Sequence, residues 1–484
     1  MSQSFNRFRT SVAILLAVVC LTSCNRPNNT PQASVAESAP IGPIRVAVIA
    51  DAELSEAINR EWHATAESEI EIINLQNATH DDSDSIDADV IVFAANYIGQ
   101  LASNTAGLRI RAIPFSKSER QQIKLNDVMP LTRQHEMTWG KQLYALTIGS
   151  PQFCLIVRRD VFELFDLKLP TTWAEYQQVV EKLTAEQNQN SIAKKLESDG
   201  AVVGEPLSNG WAAKTFLTRA AAYAKNPNEF SCLFSIIDFS PRIASPPFER
   251  ALDELRETLR IGGDRIDKAT PHTLMERIAT GRLAMVLSWP TAWRSDDSHD
   301  VVPLDIGASP GSDEFYNRTE DDWVGVSDGQ IRYVPLTGIS GRFAAISSGG
   351  SIREAKNFLT WLAAPGNSVV TSRSSETAPF RNSQRKEIAQ WLPSALEPIS
   401  QQYFDILESS QTSAVSLTYP RFANQHRYMQ ALDQAIRDSF DSTESSKEIL
   451  TKVADQWRAI TEDLGQDVQL ASYLESLNIN HTKR

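Results

Sequence analysis

The sequence predicts an α/β protein with two domains, and three observations predict it. Close to the N-terminus, apolar strands alternate with an amphipathic helix in the order strand, helix, strand. The chain has 484 residues, enough to bury two separate cores. At 42% hydrophobic and 22% charged residues, its composition is that of an ordinary globule.

The elements follow in chain order. Arg7 and Arg9 precede an apolar run from Val12 to Leu21, which ends in Leu21-Thr22-Ser23-Cys24. That run is too short to span a bilayer, and its ending is a bacterial lipobox. Residues 1–23 therefore read as a signal peptide cleaved before Cys24. Lipid on the Cys24 thiol would anchor the chain to a membrane surface without a transmembrane helix, the alternative being an unlipidated secretory signal. Residues 24–43, rich in Pro, Ser, Asn and Ala, read as a flexible tether.

The folded part opens with an apolar strand at Ile44 to Ile49. Leu54, Ala57, Ile58 and Trp62 then share one face of a helix that Asp51 is placed to cap. Ile70 to Leu75 and Val90 to Phe93 are the next strands, and their short connections imply a parallel sheet with right-handed crossovers. Ligands on such sheets bind beyond the carboxyl ends of the strands. Asp51, after the first strand, and Asn96 with Tyr97, after the third, are thereby placed near a cleft. The acidic run Asp81, Asp82, Asp84, Asp87, Asp89 lacks the glycine and final glutamate of a calcium loop and reads as a solvated loop.

Leu143 to Val157 is apolar and reads as one strand passing through Gly149 and Pro151 into another. Asp160 with Glu163, Thr172 with Glu175 and Ser351 with Glu354 all have capping-box spacing. Ala355, Phe358, Leu359 and Leu362 share a helical face, and Trp173 and Trp361 are assigned to packing within their helices. Two further stripes, Met429-Leu432-Ile436 and Ile449-Leu450-Val453-Trp457-Ile460, mark helices near the C-terminus.

Charge and motif content exclude some functions. A formal net charge of −13 argues against nucleic acid, whose phosphates need a basic surface. No H-E-x-x-H, C-x-x-C or P-loop spacing occurs, and neither a metal nor a cofactor is expected. Cys154 and Cys232, outside the leader, could pair or remain as two buried thiols.

Three blocks carry a resemblance. Gly140-Lys141-Gln142-Leu143-Tyr144 runs on to Arg158-Arg159-Asp160-Val161-Phe162 and Pro170-Thr171-Thr172-Trp173. Gly281 to Pro290 forms the second block, and Pro335-Leu336-Thr337-Gly338 leading to the helix that ends at Leu362 forms the third. In this order they resemble the family 1 extracellular solute-binding proteins, the sugar-type receptors of ABC importers. The resemblance implies a two-lobed periplasmic binding protein-like fold of type II, each lobe a mixed sheet flanked by helices. It places lobe one at residues 44–148 and 291–364 and lobe two at 149–290 and 365–475, with crossings near Gly149, Trp289 and Ala364. It implies a monomer that traps a small solute and passes it to a permease, not an enzyme.

A sugar site needs aromatic planes and a few hydrogen-bonding groups. The resemblance offers Trp289, at a strand end before Pro290, together with Trp211, Tyr144, Trp323, Gly338 and Arg381; Arg381 has a surface ion pair as its alternative role. Two departures stand out: Thr147-Ile148-Gly149 replaces an expected proline, and the region after Leu392 is long. No Tyr-Tyr pair occurs, which disfavours the iron-binding branch. The rival reading is a lipid-anchored envelope hydrolase acting on glycosides, because its paired carboxylates would be assembled by the fold and not by sequence spacing.

Overall fold

The computed structural model describes residues 43–66, 68–76, 86–103, 109–188, 196, 201–263, 269–291, 301–372, 374–392 and 396–479. The lipobox with Cys24, the tether up to residue 42, and Asp81, Asp82 and Asp84 lie outside them.

Two sheets carry the fold. In the first, Ile44–Ile49 lies between Ile70–Leu75 and Val90–Ala94, parallel to both, as the strand-helix-strand order predicts. Arg342–Ser347 continues the sheet antiparallel to Val90–Ala94, and both Ile110–Arg111 and Ala145–Gly149 pair with it. In the second sheet Cys154–Arg158 runs antiparallel between Leu304–Ala308 and Met285–Ser288, and the latter pairs in parallel with Val203–Gly204. Continuous apolar runs such as Cys154–Arg158 and Met285–Ser288 are buried along their whole length, as strands covered on both faces must be.

The Leu143–Val157 stretch thus divides into one strand of each sheet, and the chain crosses between them from Gly149 to Cys154. Glycine is required where this crossing meets another. A Cβ on Gly149 would lie 2.7 Å from the Ala378 nitrogen, and one on Gly341, at φ +104°, would lie 2.5 Å from the Gly149 carbonyl oxygen. The crossing expected near Trp289 is not there. Leu304–Ala308 pairs with Cys154–Arg158 in the second sheet, so the return to the first sheet falls between Ala308 and Arg342. The apolar strand of the second block has an antiparallel partner on each side of its neighbour, and that pairing keeps the following segment in the second sheet.

Capping follows side-chain competition. The Leu54 N–H donates to Asp51 Oδ1 at 3.0 Å, as expected. Glu175 N–H donates to Thr172 Oγ1 at 3.1 Å, and the Glu175 carboxylate accepts from Thr172 N–H at 3.3 Å, completing that box. The Asp160 box does not form, because the helix Arg159–Leu164 starts two residues earlier than an Asp160 cap requires and Arg158 takes the Asp160 carboxylate at 2.9 Å. Ser351 precedes Ile352–Leu362, but its hydroxyl is drawn to the Glu354 carboxylate and caps no N–H.

The two C-terminal stripes lie on helices Gln425–Ser439 and Ser446–Leu464, which pack on each other; the first also packs on helix Ala212–Ala224. Cys154 and Cys232 are buried free thiols. Among the described residues, no helix is long and apolar enough to cross a membrane.

Candidate functional site

Strand direction collects one set of residues at one end of the first sheet. Arg342 opens its strand opposite Ala94, the last residue of Val90–Ala94. Asp51 and Tyr97 follow the parallel strands at that same end. The Asp51 carboxylate is 94% enclosed and fully engaged: Oδ1 caps the helix, while Oδ2 accepts from Arg342 Nε at 2.8 Å and from the Ser374 hydroxyl at 2.7 Å. The Glu376 carboxylate lies 4.0 Å from Arg342 Nη1 and accepts from the Ser340 hydroxyl. Burial pushes the Tyr97 phenol up, and the nearby Arg342 charge opposes this. Asn96 is half-buried on the same short turn, Ala95–Tyr97.

The second sheet contributes aromatic rings. Phe153 precedes Cys154–Arg158 and Trp289 follows Met285–Ser288; because these strands are antiparallel, both rings emerge at one end, 5.6 Å apart. Trp211, at the start of helix Ala212–Ala224, lies 5.5 Å from Trp289. The segment Ser374-Ser375-Glu376 joins the two sets, since the Ser375 carbonyl accepts the Trp289 indole N–H at 3.2 Å.

Lys214 completes the group. Its Nζ sits 4.0 Å from the Trp211 ring centroid and 5.8 Å from that of Tyr419. Among the described residues this ammonium has no hydrogen bond and no ion pair. Burial lowers its pKa to about 8, with the Glu376 carboxylate opposing. An uncommitted donor beside a half-buried indole suits a ligand that offers hydroxyls from an apolar ring.

The residues expected at the site divide into two groups. Asp51, Tyr97, Trp211 and Trp289 are brought together, with Asn96 adjoining. Trp289 is only 1% exposed, so its ring is core to this cluster and Trp211 is the half-buried face. Arg381, Trp323 and Tyr144 lie elsewhere, and Gly338 stands at the margin, two residues before Ser340, whose hydroxyl reaches Glu376.

Arg381 is committed within the protein. It is buried, donating to the carbonyls of Ile123, Lys124 and Ala363, with Asp127 at 3.9 Å. Trp323 packs on Tyr223 and Tyr316 with Arg250 over its face. Tyr223 sits near the far end of the Trp211 helix, about 18 Å away at 1.5 Å per residue. Gly338, at φ +69°, turns the chain beside Thr418 and Glu136. Tyr144 stands near Glu475 of the C-terminal helix, and burial pushes its phenol up.

Sequence reasoning missed Arg342, Lys214 and Glu376. Lys214 left a signal: it lies three residues after Trp211, the spacing that puts two side chains on one helical face.

No protein-family model and no curated protein matches this chain. Solved structures do. An ABC transporter solute-binding protein from Agrobacterium radiobacter K84, in complex with ribitol, aligns with TM-score 0.65 at 15% identity over 87% of this chain and 98% of that one. Maltose-bound MalE3 of T. maritima aligns with TM-score 0.61 at 13% identity over 86% and 100%. A solute-binding protein from Agrobacterium vitis S4 with bound D-mannitol gives TM-score 0.60 at 12% identity over 88% and 99%. The chain therefore has the fold of the ABC transporter solute-binding proteins, the periplasmic binding protein-like α/β architecture.

Proposed function

We propose that this protein is an extracytoplasmic receptor that traps a small polyhydroxylated solute, a saccharide or sugar alcohol, and delivers it to an ABC permease. The single observation that carries the reading is the cluster where the two sheets' strand ends meet. Charged groups on one side face Trp211 and the unbonded Lys214 ammonium on the other, in a fold whose solved examples hold ribitol, maltose and mannitol.

Each sheet is then the core of one lobe. The first takes residues 44–149 with the strand Arg342–Ser347, and the second takes residues 154–308 with the C-terminal helices. Ligand binding energy shifts the equilibrium between open and closed lobes, and the closed form is what the permease recognises. Trp211 stacks on the solute's C–H face, while Lys214 and Tyr97 donate to its hydroxyls. Arg342 is oriented by Asp51, whose own oxygens are already taken.

A thermal-shift screen of mono- and oligosaccharides and alditols on the protein lacking its first 24 residues tests the reading. A ligand that binds only the folded form must raise the melting temperature. A flat response across the panel contradicts it, and turnover of a glycoside favours a hydrolase instead. The anchor has its own test: Cys24→Ser should move the protein from the membrane fraction to the soluble envelope fraction, and continued membrane association would count against lipid on Cys24.

A further inference from the structure

A cavity of 280 Å³ is lined by residues of the segments Lys225–Leu233 and Ser413–Arg421 and by His135. Its charged lining is unusual for a chain of net charge −13: it holds Lys225 and Arg421 and one carboxylate, Glu229, while burial and the Arg421 charge push His135 toward its neutral form. Glu229 is already taken, with Arg318 Nη1 at 3.0 and 3.1 Å from its two oxygens and Arg242 at 3.9 Å.

Lys225 and Arg421 are 7% and 4% exposed, and among the described residues neither has a carboxylate within 4.0 Å. Lys225 Nζ donates to the carbonyls of Asn226 and Glu229, and Arg421 donates to those of Glu136 and Ser476 at 3.0 and 2.9 Å. Among the described residues the buried Arg421 Nε–H has no partner. Carbonyls satisfy hydrogen bonds without neutralising charge, so two enclosed cations remain without a counter-ion. Glu136, the acid nearest Arg421, is itself buried and held by Ser150 and Thr132, and burial pushes its carboxyl up toward the neutral form.

We propose that this cavity binds a small tetrahedral oxyanion such as inorganic phosphate, held by Lys225 and Arg421. The volume of 280 Å³ leaves room for a tetrahedral oxyanion together with its hydrating water. Both cations line the cavity, and charge-assisted donors of this kind are what phosphate recognition uses.

The test is calorimetric titration of the full chain with sodium phosphate at an ionic strength held constant with chloride. The expected result is a saturable one-to-one isotherm, weakened at least tenfold in Lys225→Met, with saccharide affinity unchanged. Ser416→Asp, on the half-buried rim segment, supplies the missing charge internally and keeps the test decisive if Lys225→Met fails to fold. It should raise the melting temperature and abolish the phosphate isotherm. No saturable heat with the wild type, or unaltered phosphate affinity in Ser416→Asp, overturns the proposal.

Discussion

Trp211 and Trp289 share one aromatic cluster but differ in what truncation removes. Trp289 is enclosed and its indole N–H is committed, so Trp289→Ala should cost about 3 to 5 kcal/mol of stability, measured by denaturant unfolding. Trp211→Ala should leave stability nearly intact and weaken solute binding by about 1 to 3 kcal/mol, measured by calorimetry. Equal stability losses in the two would erase this distinction.

Asp51→Ala removes a helix cap and one member of an enclosed ion pair, leaving Arg342 uncompensated, and should cost about 3 to 5 kcal/mol. Lys214 gives a pH dependence. Its depressed folded pKa means that the unfolded chain binds the extra proton between pH 8 and 10.5, so wild-type stability rises with pH through that window. Lys214→Met lacks this rise, and any stability advantage it holds at pH 7 should shrink as pH approaches 10.5. Both buried thiols should resist alkylation in the native state at neutral pH, since burial pushes Cys154 far up and Cys232 to about 11. Rapid labelling of the folded protein would contradict that burial.

At the level of elements, the sequence is most legible where periodicity and capping act locally. The Asp51 cap, the parallel start of the first sheet and the two C-terminal helices follow from patterns a few residues long. The Asp160 box fails because Arg158, two residues away, competes for the same carboxylate, which spacing alone does not reveal. Leu304–Ala308 was missed as part of the second sheet because strand pairing is a long-range choice. Part of the candidate site was legible: Asp51 and Tyr97 follow from the rule that ligands bind beyond strand ends. Arg342 comes from a strand almost 300 residues after Asp51, and only the antiparallel register brings it there. The crossing between sheets gives a direct test: Gly341→Ala places a Cβ against the Gly149 carbonyl at positive φ and should destabilise the fold by more than about 1 kcal/mol, read from the chemical midpoint.

For the whole molecule, the two sheets are joined by backbone that packs closely at Gly149, Gly341 and Ala378, and the cluster that gathers Trp211, Lys214 and Arg342 lies where their strand ends meet. If the proposed solute is held between the two sheets, binding brings their cores together. The measurement that tests this most directly is small-angle scattering with and without a saturating concentration of a saccharide that raises the melting temperature. The account predicts a smaller radius of gyration in the bound state. An unchanged scattering profile at saturation would contradict the trapping of solute between lobes.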